Sequence, residues 1–202
     1  MPKPLKIGLT GGIGAGKSLV LQLLKNKGIP VLQTDVLGHV LLERKDLKSR
    51  LIRYFGKTIL GPRNKIDRTK LGREVFQDPR KQKRINAITH PAIRREVLKW
   101  IGKKGKKGSS LVVVEVPLIF ERGFYRSFDG VLSVSAPREL RRKRLLKRGW
   151  SPKEIRKREG SQWSQSRKDR MADWVIVNTK DRETLQYSVE RWLAEIRSME
   201  KE

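Results

Sequence analysis

The sequence predicts an α/β fold in three layers, α/β/α, with a central parallel sheet. Short apolar runs, LKIGLT, IPVLQ, SLVVVEVP, GVLSVSAP and DWVIVN, alternate along the chain with longer stretches of helical apolar spacing. Within those runs the apolar residues are nearly continuous, the pattern of strands covered on both faces. A length of 202 residues with 37% apolar content supplies one domain with a sizeable core.

In chain order, Leu5 to Thr10 reads as a buried strand and Lys17 to Asn26 as a helix carrying Leu19, Leu21, Leu23 and Leu24, with Gly28 as its stop. IPVLQ is the second strand. From Val36 to Phe55 the spacing of Leu37, Val40, Leu41, Leu47, Leu51, Ile52 and Phe55 is helical, with a break near Lys45. IDRTKLGREVFQD is a further helix, and PRKQKRINAITHPAIRREVLKWI another that His90-Pro91 should interrupt. Three strands follow at residues 110–117, 130–137 and 173–178, with a basic helix from Leu140 to Lys147 after the second. A last amphipathic helix carries Leu185, Val189, Trp192, Leu193 and Ile196. The organisation expected is one domain: a core of 1–35, 107–137 and 171–202, an inserted helical lobe of 36–106, and a basic lid of 138–170.

Composition narrows the class. The chain contains no cysteine, which removes disulfides and thiolate metal sites. MPKPLK leads straight into IGLTG without a long apolar segment, and no run reaches the roughly 20 apolar residues that span a bilayer. The expectation is a soluble, cytoplasmic protein without a membrane partner. Lysine and arginine outnumber acidic residues 48 to 21, a formal charge of +27, peaking in RELRRKRLLKRGWSPKEIRKR and GKKGKKG. Such a surplus attracts polyanions, from phosphorylated small molecules to nucleic acid, or serves as a solvated surface.

The glycine-rich stretch between the first strand and helix is more specific. Gly11, Gly12, Ile13, Gly14, Ala15, Gly16, Lys17 and Ser18, with Leu19 following, fit G-x-x-x-x-G-K-[ST] in the strand–loop–helix setting that motif needs. Glycines let backbone N–H groups turn toward a phosphate, and the helix that follows directs its positive end to the same anion. Lys17 can reach the β- and γ-phosphates, and the Ser18 hydroxyl can bind Mg²⁺. A dinucleotide loop would need glycine where Lys17 or Leu19 stands. The loop therefore predicts a nucleoside triphosphate with Mg²⁺. DVLG and NTKD do not have the placement that a GTPase requires, and VVVEVP has only Glu115 where a motor would carry its acidic strand end. A small kinase is the favoured class. Asp35, just after the second strand, is placed for a catalytic base and metal-supporting carboxylate, or for the cap of the next helix.

Together, GLTGGIGAGKS, VLQTD, REVFQDP, INAITHPAIRREV, VPLIFERG, RKRLLKR and REGSQ…K…ADWVIVN resemble the dephospho-coenzyme A kinases, in that family's order from residue 7 to 178. The resemblance implies a P-loop kinase fold and phosphoryl transfer from ATP to the ribose 3′-hydroxyl of dephospho-CoA. It implies Asp35 as base, Asn178 at the nucleotide, and Arg144 and Arg148 as lid cations at the transferred phosphoryl. It also implies acceptor contacts from His39, Asn86, His90, Arg94, Leu118, Glu121, Arg158, Gln162 and Lys168. Gln33-Thr34-Asp35 stands where the family reads D-A-D, with His39 in the place of its arginine and Thr179 in that of a glycine.

Some alternatives stay open from the residues. His90-Pro91 also fits a helix boundary, and Glu121 an exposed helix start. Arg141, Arg142, Lys143 and Lys147 read as solvated surface. Trp100, Trp163, Trp174 and Trp192 read as core, leaving Trp150 as the exposed aromatic. Two functional alternatives are a kinase of another nucleoside or nucleotide, and a basic NTPase that binds RNA. The latter lacks a stacking motif, so nucleic acid is not the expected partner. A monomer is expected.

Overall fold

The computed structural model describes residues 3–76 and 78–199. In chain order its elements are β1 (Leu5–Thr10), α1 (Lys17–Asn26), β2 (Val31–Gln33), α2 (Thr34–Leu41), α3 (Lys45–Phe55), α4 (Arg68–Phe76), α5 (Pro79–Gly105), β3 (Leu111–Glu115), β4 (Gly130–Ser135), α6 (Arg138–Lys147), α7 (Pro152–Gly160), α8 (Gln165–Met171), β5 (Trp174–Val177) and α9 (Arg182–Met199). The chain divides into two compact units, residues 1–32 with 101–202, and residues 33–100.

The first unit is built on a five-stranded sheet of order β2-β3-β1-β4-β5. Central β1 pairs in parallel with β3, Ile7 opposite Val113, and with β4, Leu9 opposite Leu132. β4 pairs in parallel with β5, Leu132 opposite Trp174. The apolar runs are continuous because both faces are covered: Ile7, Leu9, Val113, Leu132 and Val134 are buried, and so are Val112, Val114 and Val131. On one face, α1 contributes Val20, Leu21, Leu23 and Leu24, and α9 contributes Leu185, Val189, Trp192, Leu193 and Ile196, to one core with the strands. On the other, Ile119 and Phe128 press so closely on Gly8 that a Cβ there would overlap Ile119. β5 ends the sheet with Val175 and Val177 exposed.

The second unit packs α2 to α5 around Leu41, Leu47, Leu51, Phe55, Ile59, Ile66, Leu71, Val75, Ile88 and Ala92. The break expected near Lys45 is the turn between α2 and α3. The guanidinium of Arg44, the residue preceding α3, pairs with Asp46 at 2.6 Å and Glu96 at 2.8 Å. Asp67 caps α4 by accepting from the Thr69 and Lys70 amides. His90-Pro91 does not interrupt α5, which is helical throughout, so the helix-boundary reading of that pair is wrong. Pro91 removes one amide donor, but the buried side chains of Ile88 and Ala92 on either side of it hold the helix together. Of the tryptophans expected in the core, only Trp192 is buried; Trp100, Trp163 and Trp174 are half-buried, as is Trp150. No described helix is long and apolar enough to cross a membrane.

Leu132 is fully buried at the sheet centre and tests this core. Leu132→Ala is expected to lower unfolding free energy by about 2–5 kcal/mol, measured by urea denaturation; a loss below about 1 kcal/mol would contradict the packing described.

Candidate active site

The loop between β1 and α1 is shaped by what presses on it. Gly11 has φ 140° and lies against the Val134 carbonyl, where a Cβ would overlap the oxygen. Gly16 has φ 104° and lies against Asn178, whose side-chain amide donates to the Ala15 carbonyl at 2.8 Å. Only glycine meets both demands at these two positions. α1 starts at Lys17, so the loop ends at the positive pole of a helix whose apolar face is buried. The Lys17 ammonium donates to the Gly11 and Gly12 carbonyls at 2.9 and 3.1 Å.

A cavity of about 220 Å³ brings together Gly14, Gly16, Lys17, Ser18 and Leu19 with Glu115, Arg144, Arg148 and Asn178. Arg144 donates through Nη2 to the Asn178 carbonyl at 3.1 Å, while its buried Nη1 has no hydrogen-bond partner among the described residues. Burial, and then the neighbouring Arg148, push the Arg144 guanidinium below its ordinary range. An unpartnered guanidinium nitrogen beside Lys17 and a helix N-terminus makes this a site built for an anion with several oxygens. Ser18 and Glu115 supply oxygen donors, the chemistry a hard cation requires. No group of three or more His, Asp or Glu side chains arranged for a metal exists among the described residues. A cation such as Mg²⁺ takes one or two protein oxygens and completes its shell with phosphates and water.

Gly12 and Ile13 line a second cavity of about 510 Å³ with Arg138, Arg141, Arg156, Glu159 and Gln162. Here the solvated reading of Arg141 is overturned. It is 7% exposed, its Nη1 donating to the Ile13 carbonyl at 3.2 Å and its Nε to the Ala136 carbonyl at 3.1 Å. Arg138 and Arg142 bond Glu159 at 3.1 and 2.8 Å, with Arg141 4.0 Å from it. Burial would raise the Glu159 carboxyl, but the bonds from Arg142 and Arg138 hold it below the ordinary range.

Glu121 is not an exposed helix start. Its Oε1 lies 3.1 Å from the Lys168 ammonium and accepts the Trp163 amide at 2.8 Å. Lys168 is fully buried and also donates to the Pro117 carbonyl at 2.5 Å. Burial, only partly offset by Glu121, lowers its affinity for the proton. Leu118 is half-buried in the turn after β3, Gln162 is half-buried, and Arg158 covers the Trp150 ring at 4.7 Å.

In the second unit, Asp35 is exposed in the first turn of α2. Since α2 starts at Thr34 with Gln33 at its cap position, Asp35 is not the cap. His39 is exposed, its Nδ1 3.3 Å from an Arg68 nitrogen. Asn86, His90 and Arg94 recur every four residues and share one face of α5.

Sequence reasoning gave Glu115 no role, read Arg141 as solvated surface, and did not single out Gln165 or Asp169. Glu115 carried a signal: it ends β3, and ligands in open parallel sheets gather at the carboxyl ends of strands. Gln165 accepts the Gly12 amide at 2.8 Å, a contact across 153 residues that no local pattern announces.

A glycine loop closed by Lys17 and Ser18 on a central parallel strand, with arginines from a following helix in the same cavity, defines a P-loop kinase. Residues 5–183 match the family model described as dephospho-CoA kinase. Dephospho-CoA kinase from Thermus thermophilus is 38% identical over 194 residues, covering 96% of this chain and 92% of that protein. The Lactobacillus johnsonii dephospho-CoA kinase is 38% identical over 175 residues, 86% of this chain and 88% of its own. Among solved structures, a Thermus thermophilus protein superposes with a TM-score of 0.84 at 37% identity, covering 96% of this chain and 98% of that one. The Campylobacter jejuni dephospho-CoA kinase follows at 0.73 and 29% identity, covering 95% and 96%. The chain belongs to the dephospho-CoA kinase family.

Glu121→Gln would leave the Lys168 ammonium buried without its carboxylate. The expected cost is about 3–5 kcal/mol of unfolding free energy, with much of it recovered in Glu121→Gln/Lys168→Met. Thermal or urea unfolding of the single and double variants measures both.

Proposed function

We propose that this chain transfers the γ-phosphoryl group of ATP to the ribose 3′-hydroxyl of dephospho-CoA, giving CoA and ADP, the last step of coenzyme A biosynthesis. The observation that carries the reading is the cavity in which Lys17, Ser18, Arg144, Arg148 and Asn178 converge, in a chain of this family. Lys17 and the backbone amides of the loop hold the phosphates of the donor. Arg144 and Arg148 neutralise charge on the equatorial oxygens as the phosphoryl moves, and Arg144 has a donor nitrogen to give. Ser18, with Glu115 on the same cavity and Asp35 as a further carboxylate, would hold Mg²⁺, which would supply positive charge to neutralise phosphate oxygens.

Asp35 accepts the proton of the 3′-hydroxyl as that oxygen attacks the γ-phosphorus and the bond to the bridging oxygen of ADP breaks. The helical lobe of 36–106 receives the acceptor through His39, Asn86, His90 and Arg94. The segment of 138–170 is the lid, with Arg158 and Gln162 toward the acceptor. Leu118, Glu121 and Lys168 shape the acceptor side, the last two as a buried pair that sets the turn after β3. The enzyme works as a cytoplasmic monomer on small molecules, without nucleic acid.

The deciding assay is ADP production with Mg-ATP, with and without dephospho-CoA, beside adenosine and AMP. Stimulation by dephospho-CoA alone, with a product of CoA mass, supports the reading. Stimulation by another acceptor reassigns the substrate, and none by any acceptor turns attention to RNA as the use of the +27 charge. Asp35→Asn is expected to keep ATP affinity while lowering kcat about a hundredfold or more; an unchanged kcat removes the base assignment.

A further inference from the structure

We propose that Gln165, with its amide fixed by Asp169, is a positioning residue that holds the phosphate-binding loop in its nucleotide-ready shape. The proposal rests on the P-loop kinase reading but assigns a role that no feature of the loop motif supplies. Gln165 and Asp169 are four residues apart on α8 and share a face. The Gln165 Nε2 lies 2.7 Å from Asp169 Oδ1 and 3.2 Å from the Val134 carbonyl oxygen. A carboxylate and a carbonyl only accept hydrogen bonds, so the –NH₂ end of the amide must face them. Its other end, Oε1, is thereby committed to the Gly12 amide at 2.8 Å. A flipped amide would set oxygen against oxygen on one side and N–H against N–H on the other.

Asp169 is itself immobilised. Its Oδ1 accepts from the Ser133 hydroxyl at 2.6 Å and its Oδ2 from the Ser135 hydroxyl at 2.7 Å. Ser133 and Ser135 stand at the end of β4, the strand beside β1, so the order in which the constraint is transmitted is β4, Asp169, Gln165, Gly12. A second side chain grips the same stretch, Arg141 on the Ile13 carbonyl, and a Cβ at Gly12 would meet both it and Gln165. Loops that bind phosphate through backbone N–H groups gain affinity when their shape is set before the ligand arrives, since ordering otherwise opposes binding. Gln165 touches no reacting atom in this role; it acts through Gly12.

Three variants, Gln165→Met, Asp169→Asn and the double, test this by calorimetric titration with ADP and by steady-state kinetics. Gln165→Met keeps the length and volume of the side chain but not its hydrogen bonds. It is expected to weaken ADP binding about tenfold, the scale of one specific hydrogen bond, and to raise KM for ATP alike. KM for dephospho-CoA should hold within about twofold, and the melting temperature within about 4 °C. Asp169→Asn should show a smaller loss. The double variant should be no worse than Gln165→Met, because Asp169 acts through Gln165. In ¹⁵N NMR, the Gly12 amide should exchange faster in Gln165→Met than in the parent.

Unchanged ADP affinity in folded Gln165→Met overturns the proposal. So does an equal rise in both KM values with a lowered melting temperature, which would mean a merely structural contact. Additive losses in the double variant overturn the chain from Asp169 to Gln165. If Gln165→Met does not fold, an unprotected Gly12 amide in the parent protein overturns the proposal and a protected one supports it. Failure of the parent to bind ADP would instead sink the P-loop reading itself.

Discussion

The Gly11 backbone lies hard against the Val134 carbonyl, with φ at 140° and no room for a Cβ. That contact ties the turn after β1 to the end of β4, and much else follows from it. It places the Lys17 helix end and the loop amides at the carboxyl edge of the sheet. It also brings the loop within reach of the segment after β4, so that Arg141 of α6 and Gln165 of α8 can grip Ile13 and Gly12. A bulkier residue at this point would lift the loop off β4 and detach all of these bonds together.

The loop is held by neutral and charged groups in different ways. Arg141 is buried against carbonyl oxygens, Arg144 keeps a nitrogen in reserve, and Arg138 and Arg142 share the single carboxylate of Glu159. Four arginines within seven residues of α6 thus have three distinct occupations. The helix faces decide: the same charge supports the loop, the cavity or the neighbouring helix according to position around a 3.6-residue turn.

Much of this was legible in the sequence where local pattern and structure coincide. The five strands fall within two residues or so of their apolar runs; in β1, β3 and β4 this is because residues covered on both faces leave a continuous signature. The glycine loop was legible because its spacing is itself the phosphate-binding device. The buried cations were not. Arg141 stands in a run of basic residues that reads as solvent-facing, and its burial depends on Ile13, far away in the chain. Lys168 is sequestered by Glu121 and Pro117 from another loop, again a long-range pairing. His90-Pro91 misled for the opposite reason: a local rule predicted a boundary that tertiary packing of Ile88 and Ala92 overrides.

The open end of the sheet has a consequence for how the molecule behaves in company. Among the described residues β5 has one side without a strand partner, and it carries exposed Val175 and Val177, the features through which two copies of a protein zip together. The surplus of 27 positive charges opposes such pairing between copies, a colloidal defence rather than a shaped one. Such a defence has a short reach, since the screening length is about 8 Å at physiological ionic strength and about 3 Å at 1 M salt. Concentrated salt or a polyanionic contaminant therefore weakens this repulsion together with exposed ion pairs such as Lys27–Glu190, so self-association depends on the solvent as much as on the fold.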